Sequence, residues 1–382
     1  MTMEIVAPYQ DGIDVIRQNG GDVFRFCYQC GMCDTVCPWN KVTNFSMRKL
    51  VREATFGLPE LDGEAMWRCT TCGKCPQRCP RGVGTMDVSV SFRRIASEAD
   101  IIPAPVHTVT TSLASQGNPL REERSTRGDW AKDLSVKTFT DGMEILYFPG
   151  CYYSYDRRMR KATEATVKIL NAAGVDFGIL GSKETCCGES IRKTGAEELF
   201  KQLAKENIKN FIDAGVKKIL VSSPHCYHTF KNEYPDFKVD FEIVHITQYL
   251  FELINNGRLK FNNKLAKKVT YHDPCYLGRH NNIYEEPREV LNAISGLKLV
   301  EMSETRKDSL CCGGGGGRIW METPKGERFS DIRMEQASAV KAEVLVTSCP
   351  YCITNFEDSR LNMPESEAIE VKDLTEIVAE AL

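Results

Sequence analysis

The sequence predicts a multidomain α+β and α/β protein, with a mostly helical, cysteine-rich first domain followed by two homologous α/β domains built on small parallel sheets. Three observations carry this reading. Eight cysteines fall within the first hundred residues and none follows until Cys151. The remainder is an internal repeat. Each repeat alternates short β-branched runs with helix-like stretches, the pattern of parallel strands joined by helices.

The repeat emerges when the two halves are laid over each other. Ile145 to Cys151 matches Val269 to Cys275, Cys186-Cys187-Gly188 matches Cys311-Cys312-Gly313, and Ile219 to Cys226 matches Val344 to Cys352. The offsets are 124, 125 and 126 residues, a drift too small for coincidence. Met159 to Ala173, Ala196 to Ala214 and Phe329 to Lys341 read as helices. In parallel sheets the working groups collect at the carboxyl ends of strands. Cys151, Cys226, Cys275 and Cys349 each follow a predicted strand, so each repeat is expected to gather its cysteines at one sheet edge. The expected boundaries are a first domain over 1–105, a linker over 106–142, a first repeat over 143–262 and a second over 263–382. The linker reading rests on Pro103, Pro105, Gly117, Pro119 and the charged run Arg121 to Arg124.

Composition narrows the function classes. The chain has 382 residues, 49 Lys+Arg against 52 Asp+Glu, and 42% hydrophobic residues, enough for sizeable cores. With a net charge of -3 and no basic block, nucleic acid finds no electrostatic hold. The 17 cysteines are an odd number in a chain much longer than disulfide-stapled secreted scaffolds. Met1 to Ile5 shows no basic n-region ahead of an apolar stretch, so no secretory leader is expected. No uncharged apolar run reaches the roughly 18–20 residues that span a bilayer. The cysteines therefore read as metal ligands in a reducing, cytoplasmic setting.

Cys27, Cys30, Cys33 and Cys37-Pro38, and again Cys69, Cys72, Cys75 and Cys79-Pro80, follow the spacing C-x2-C-x2-C-x3-C-P of bacterial two-cluster ferredoxins. Zinc motifs instead offer two ligands, a long gap and two more. The resemblance to those ferredoxins assigns Cys27, Cys30, Cys33 and Cys79 to one cubane 4Fe-4S cluster and Cys69, Cys72, Cys75 and Cys37 to another. The helix-like segment from Ser46 to Phe56 between the runs exceeds the linker of a minimal ferredoxin, as in the two-cluster ferredoxin-type domain of a larger redox enzyme.

The second repeat carries Cys275, Cys311, Cys312, Cys349 and Cys352, five thiols where a cube or a zinc needs four. With the ferredoxin runs, this pattern resembles the cysteine-rich CCG domains of the heterodisulfide reductase family, whose catalytic subunit in its fused form joins a ferredoxin module to two such domains. The resemblance covers the chain from about residue 20. It implies a noncubane 4Fe-4S cluster on the five cysteines of the second repeat, where a disulfide is bound and reductively cleaved by single electrons from the ferredoxin domain. The first repeat departs from the pattern: Cys151, Cys186, Cys187 and Cys226 remain, but Ser223 stands where Cys349 is, and His225 and His228 flank Cys226. That degenerate set fits a third cubane cluster and a structural zinc equally, and a noncubane cluster short of one ligand less well.

Other features carry competing readings. Gly313 to Gly317 lacks the endings of phosphate-cradling loops; close backbone approach beside Cys312, with amides toward cluster sulfurs and room for a substrate, is favoured over plain loop flexibility. Cys349-Pro350-Tyr351-Cys352 also has the form of a glutaredoxin dithiol, against which the Cys-Cys pairs of both repeats speak. His272, Arg279, His280 and Arg318 lie near second-repeat ligands and suit an acidic substrate or proton supply, although solvated surface or tuning roles suit them more. Tyr152, Tyr153 and Tyr155 are expected around the first-repeat site.

The resulting expectation is an iron-sulfur oxidoreductase of anaerobic metabolism that passes electrons through two cubane clusters to a noncubane cluster acting on a small-molecule or protein disulfide. The alternative is a relay subunit of an anaerobic dehydrogenase, or of a quinone-linked, electron-bifurcating or acyl-CoA-reducing complex, with no disulfide of its own. No flavin or nicotinamide motif is present, so a flavoprotein, a hydrogenase or formate dehydrogenase module, or a membrane cytochrome is expected as partner. Such a partner would also hold the chain against the inner face of the membrane.

Overall fold

The computed structural model describes residues 7–363 and 366–382; the leader reading of Met1 to Ile5 falls outside them. Among the described residues, no helix is long and apolar enough to cross a membrane. The chain divides into two compact units. One contains the residues up to Thr108 with the segments Ser190–Glu197 and Gly313–Phe329; the other contains Val109–Glu189, Glu198–Cys312 and Ser330–Leu382.

The first unit is helical. Each cysteine run wraps through two left-handed residues, Gln29 (φ 58°) and Gly31 (φ 82°) in one, Thr71 (φ 50°) and Gly73 (φ 76°) in the other. A short helix follows each wrap, Met32–Val36 and Lys74–Arg78. The same backbone path at the same spacing is what two equivalent ligand runs require. Between them the helix Met47–Phe56 forms where expected. Ser46 caps it by accepting from the Lys49 amide at 3.0 Å, Gly57 ends it at φ 68°, and Met47, Leu50, Val51 and Ala54 form its buried stripe. The Ser46 hydroxyl donates to Asp34 at 2.8 Å, which ties this helix to the first cysteine run.

Arg93, on helix Thr85–Glu98, is fully buried and is satisfied entirely by carbonyls. It donates to Met66, to Cys69 at 2.6 Å, and to Lys193 and Gly316 at 3.0 Å each. One guanidinium thus pins the second cysteine run and both inserted segments together, a task suited to its five fixed donors. The composition of the glycine run has its reason here. A side chain at Gly315 would meet the Thr70 carbonyl at 2.3 Å, and one at Gly316 (φ +60°) the Cys69 carbonyl at 2.5 Å. Close backbone approach requires these glycines, and the backbone approached is that of the second cysteine run.

The second unit holds two parallel sheets. The strands are β1 (Lys137–Thr138), β2 (Ile145–Phe148), β3 (Phe177–Ile179), β4 (Lys218–Val221), β5 (Glu242–His245), β6 (Lys268–Tyr271), β7 (Lys298–Leu299), β8 (Val344–Thr347) and β9 (Glu370–Asp373). The first sheet runs β1-β3-β2-β4-β5 and the second β7-β6-β8-β9, every pairing parallel. Apart from the added edge strand β1, the two orders are the same. Strands β2 and β8 are buried along their whole length, which explains their continuous apolar runs. The predicted helices form as Arg157–Ala172, Glu197–Asp213 and Phe329–Ala339.

The segment 106–142 is structured. It begins within helix Ala104–Gln116 and contributes β1, and its Trp130 and Ala131 join the core. Its Gly-Asn-Pro turn is fastened by Asn118, which is fully buried, donates to Glu122 O at 2.7 Å and accepts from the Leu120 amide at 3.0 Å. Both repeats share one core, in which Ile145, Tyr147 and Leu220 join Val269, Tyr271, Val344 and Val346. Polar bonds cross between them as well. Arg158 reaches Glu357 and Glu376 at 3.0 Å each, and Tyr153 donates to Asp373 at 2.7 Å.

Two substitutions test this packing. Gly316→Ala, which strains a left-handed residue and collides with the Cys69 carbonyl, is expected to destabilise the first unit by about 2–4 kcal/mol in chemical denaturation. The second concerns Arg288, whose buried fork grips Asp273 at 2.7 and 2.9 Å, two residues before Cys275. Arg288→Met leaves that carboxylate without its cation and is expected to cost about 3–5 kcal/mol in the same experiment.

Candidate metal centres

Strand order places the cysteines. β2 and β4 are neighbours in register, Leu146 opposite Ile219 and Phe148 opposite Val221, so the segments leaving them lie side by side. Cys151 leaves one and Cys226 the other. β3 flanks β2 on its opposite side and leads to Cys186-Cys187. In the second repeat β6 and β8 are paired the same way, with Cys275 after one, Cys349 and Cys352 after the other, and Cys311-Cys312 after the flanking β7. All nine thiols of the repeats thus stand at carboxyl edges of parallel strands.

In the first unit, Cys37, Cys69, Cys72 and Cys75 line one cavity together with Trp39, Phe45 and Met47. Burial and then the neighbouring Cys72 raise the Cys37 thiol far above its usual range, with Cys69 and Cys75 adding to the effect. Cys69 is also raised by burial, against the pull of Arg93, and Cys75 by burial and then by Cys69 and Cys72. Cys33 is pushed up to about 12, by burial, then Asp34, and it feels Cys27. Hydrogen bonds point at the sulfurs: the Gln29 amide at Cys27 (3.3 Å), the Val83 amide at Cys79 (3.3 Å) and the Thr85 hydroxyl at Cys75 (2.9 Å). Cys30 is exposed on the turn between Cys27 and Cys33. Cys37 thus lines this cavity with three cysteines of the other run, Cys69, Cys72 and Cys75. For Cys79 the contact in view is the one to Val83.

In the first repeat, Cys151, Cys186, Cys187 and Cys226 form a chain of thiols in mutual hydrogen-bond reach, Cys151 with Cys186, Cys186 with Cys187, and Cys187 with Cys226. Gly150 lets the ends of that chain close, because a side chain there would stand 3.1 Å from the Cys226 sulfur and 3.9 Å from Ser223. Asn207, fully buried, clamps the Cys-Cys pair by accepting from the Thr185 amide at 2.9 Å and donating to the Cys186 carbonyl at 3.1 Å. Arg127 donates to the Cys151 sulfur at 3.3 Å and to Glu184 at 3.2 Å, all three side chains being buried. No sequence signal marks Arg127, which lies in the expected linker. Of the three tyrosines expected here, Tyr155 sits by Arg127 and Cys151, whereas Tyr152 packs on Tyr351 (4.9 Å) and Tyr153 bonds Asp373.

In the second repeat the five thiols are 1–7% exposed. Cys275 bonds Cys311 and also feels Cys312, and Cys352 bonds both Cys312 and Cys349. Asn355 holds the Cys312 carbonyl at 2.9 Å. Cys275 and Cys352 are raised, Cys275 chiefly by its bond to Cys311 and Cys352 by burial. Cys349 is the exception: against burial, the bonds from Cys352 and His225 bring it down to about 5. His225 itself, depressed by burial but held by Glu189 and then by Cys349, rises to about 10.

The charged residues near these ligands divide. His272 is core: it is 1% exposed, accepts from Arg333 at 3.1 Å and is held far below the usual range by burial. Arg279 lies close enough to favour ionised Cys275 while donating to Ser309 O at 2.7 Å. His280 stacks on Tyr276 at 4.4 Å. Arg318 belongs to the first unit, where it donates to Glu322 O and Thr323 at 2.8 Å each.

Buried, crowded thiols resist ionising singly, and a bound cation removes that penalty, so these donor sets fit iron-sulfur clusters or thiolate-bound metal.

Comparisons with known proteins agree. Residues 24–83 match a 4Fe-4S dicluster domain, and residues 145–231 and 269–357 each match the cysteine-rich domain. The chain is 39% identical over 330 residues to the probable iron-sulfur-binding oxidoreductase FadF of Bacillus subtilis, covering 84% of this chain and 47% of that protein. It is 36% identical over 335 residues to EtfAB:quinone oxidoreductase of Syntrophomonas wolfei, with the same coverages. It is 30% identical over 390 residues to a subunit of the dihydromethanophenazine:CoB--CoM heterodisulfide reductase of Methanosarcina barkeri, covering 93% of each. The chain thus spans about half the length of the first two relatives and nearly all of the third. With a dicluster domain, two cysteine-rich domains and this near-complete match, the chain belongs to the family of that heterodisulfide reductase subunit and its related iron-sulfur oxidoreductases.

Proposed function

We propose that this oxidoreductase carries single electrons from a partner through two cubane 4Fe-4S clusters in its first domain to a noncubane 4Fe-4S cluster in the second repeat, where a disulfide is cleaved or, in reverse, formed. The observation that carries this reading is the gathering of five buried thiols, Cys275, Cys311, Cys312, Cys349 and Cys352, at one sheet edge, against four and Ser223 at the other. When bound, such clusters exchange one electron at a time, and an iron with a free position takes a sulfur ligand. Cys27, Cys30, Cys33 and Cys79 would hold one cubane cluster, and Cys69, Cys72, Cys75 and Cys37 the other. Cys151, Cys186, Cys187 and Cys226 would hold a third cubane cluster or a zinc.

Cleavage breaks one S–S bond, takes up two electrons from the partner and two protons from solvent, and releases two thiols. The chain's own groups prepare that step. The thiols are shielded from water, Asn355 orients the Cys312 backbone, and the nearby Arg279 guanidinium favours negative charge at Cys275. Electrons would enter from a flavoprotein, a hydrogenase or formate dehydrogenase module, or a membrane cytochrome, with the chain in the cytoplasm or held by that partner at the membrane's inner face. A second reading is favoured by the relatives named FadF and EtfAB:quinone oxidoreductase: a relay between a flavoprotein and quinone that turns over no disulfide.

EPR spectroscopy on anaerobically purified, oxidised protein separates the two. Addition of coenzyme M, coenzyme B or coenzyme A is expected to produce a new paramagnetic species, and Cys352→Ser to abolish it while the cubane signals persist. A spectrum indifferent to every thiol, with cubane signals that reduce normally, selects the relay. Metal analysis of Cys226→Ser is expected to show loss of one metal from the first repeat: lost iron identifies a third cubane cluster, and lost zinc a structural ion.

A further inference from the structure

The two cysteine runs follow the same backbone path, but the charges beside them differ in sign. In the first run Asp34 follows Cys33, and its Oδ1 lies 3.7 Å from the Cys33 sulfur. A ligating thiolate has no proton to offer that carboxylate, so two negative groups face each other. Asp34 is held there by the Ser46 hydroxyl at 2.8 Å and the Arg48 amide at 2.9 Å. The Arg48 guanidinium stands 3.8 Å from it and is 51% exposed, so water screens that cation. In the second run the fully buried Arg93 guanidinium donates to the Cys69 carbonyl at 2.6 Å. Covalent geometry then puts it within about 7 Å of the Cys69 sulfur. The buried Thr85 hydroxyl donates to the Cys75 sulfur at 2.9 Å.

Two features oppose this difference. The Gln29 and Val83 amides donate to Cys27 and Cys79 at 3.3 Å each, and Cys30, alone of the eight cysteines, is exposed. Amide dipoles and water both favour added negative charge at those sulfurs. Dipoles act more weakly than full charges, however, and water reaches one ligand, whereas Cys33, Cys69 and Cys72 are alike at 9%, 7% and 8% exposed. Arg93 acts where nothing screens it.

We infer that the two clusters of the first domain have potentials in a set order: the one held by Cys27, Cys30, Cys33 and Cys79 beside Asp34 is the lower, and the one held by Cys69, Cys72, Cys75 and Cys37 beside Arg93 and Thr85 is the higher. Reduction adds one negative charge to a cluster, which a carboxylate at a ligand opposes and a guanidinium or hydroxyl donor favours. One electron therefore passes downhill from the reduced first cluster to the oxidised second, with no bond made or broken. Because Cys30 is exposed, the lower-potential cluster is also the one that a partner reaches, and the pair favours electrons moving inward from that edge. Asp34, Arg93 and Thr85 are positioning residues that act through the ligating cysteines. This rests on the reading of both runs as cubane clusters, and it holds for a disulfide reductase and a relay alike.

The test is an EPR-monitored redox titration of the full-length holoprotein, wild type against Asp34→Asn, Thr85→Val and Thr85→Ser, with iron content measured on each. Wild type is expected to show two distinct cubane midpoints from the first domain. Asp34→Asn, which keeps the size and removes the charge, is expected to raise the lower midpoint and leave the higher in place. Thr85→Val, which keeps the shape and removes the donor, is expected to lower the higher midpoint alone, and Thr85→Ser to restore it. If Asp34→Asn fails to retain iron, the two Thr85 variants decide. Coincident wild-type midpoints overturn the inference, as does a higher midpoint that moves in Asp34→Asn, a lower one that moves in Thr85→Val, or no movement in either variant. A first domain whose iron and EPR signals account for fewer than two cubane clusters overturns this inference and the two-cluster reading together.

Discussion

Bringing thiols together away from water is the constraint around which this protein is built. Burial and mutual repulsion raise many of the clustered cysteines, Cys37, Cys75, Cys187 and Cys275 among them, which opposes their ionisation until a cation is present. The scaffold must hold the sulfurs converged against that cost. It does so with hydrogen-bonding side chains, buried in the case of Arg93 at the second cysteine run, Asn207 at Cys186 and the Arg288–Asp273 fork ahead of Cys275, and half-buried in the case of Asn355 at Cys312. Bound metal and folding are coupled in such a design, because the groups that position the ligands are also those that close the cores.

Parallel pairing converges residues far apart in sequence with few specific contacts. Cys151 and Cys226, or Cys275 and Cys349, are separated by more than seventy residues, yet one register between adjacent strands puts their loops together. Once duplicated, the same plan was free to diverge. The first repeat has Ser223 where the second has Cys349, and beside Cys226 it presents the buried Glu189–His225 pair. A shared core, with Tyr153 bonded to Asp373 and Arg158 to Val371 across it, keeps the two repeats in fixed relation.

Membership in the family limits function to iron-sulfur redox chemistry, and the thiol sets divide the labour proposed for it. Four-thiolate sites suit storage and passage of electrons; a fifth thiolate allows an assembly larger than a cube. In the two longer relatives the part matched by 84% of this chain makes up 47% of their length.

Much of this is legible in the sequence because it depends on local spacing or on period. The two C-x2-C-x2-C-x3-C-P runs, the repeat offsets, the helix capped by Ser46 and the strands ahead of Cys151, Cys226, Cys275 and Cys349 are all written in consecutive residues. Glycines 315 and 316 read correctly as sites of close approach, but the backbone they approach belongs to Cys69 and Thr70, more than two hundred positions away. Arg127 beside Cys151 and Asn207 behind Cys186 carry no signal at all, and the segment 106–142 resembles a linker because turn residues read the same whether loose or fastened by a buried Asn118. His272 suggests function by proximity to Cys275 and is core, since the chain leaving β6 turns its ring toward Phe356. Spacing determines which residues ligate together when the chain itself brings them together; which charges and donors then face the sulfurs is decided by the packing of distant elements, and only the tertiary structure holds that information.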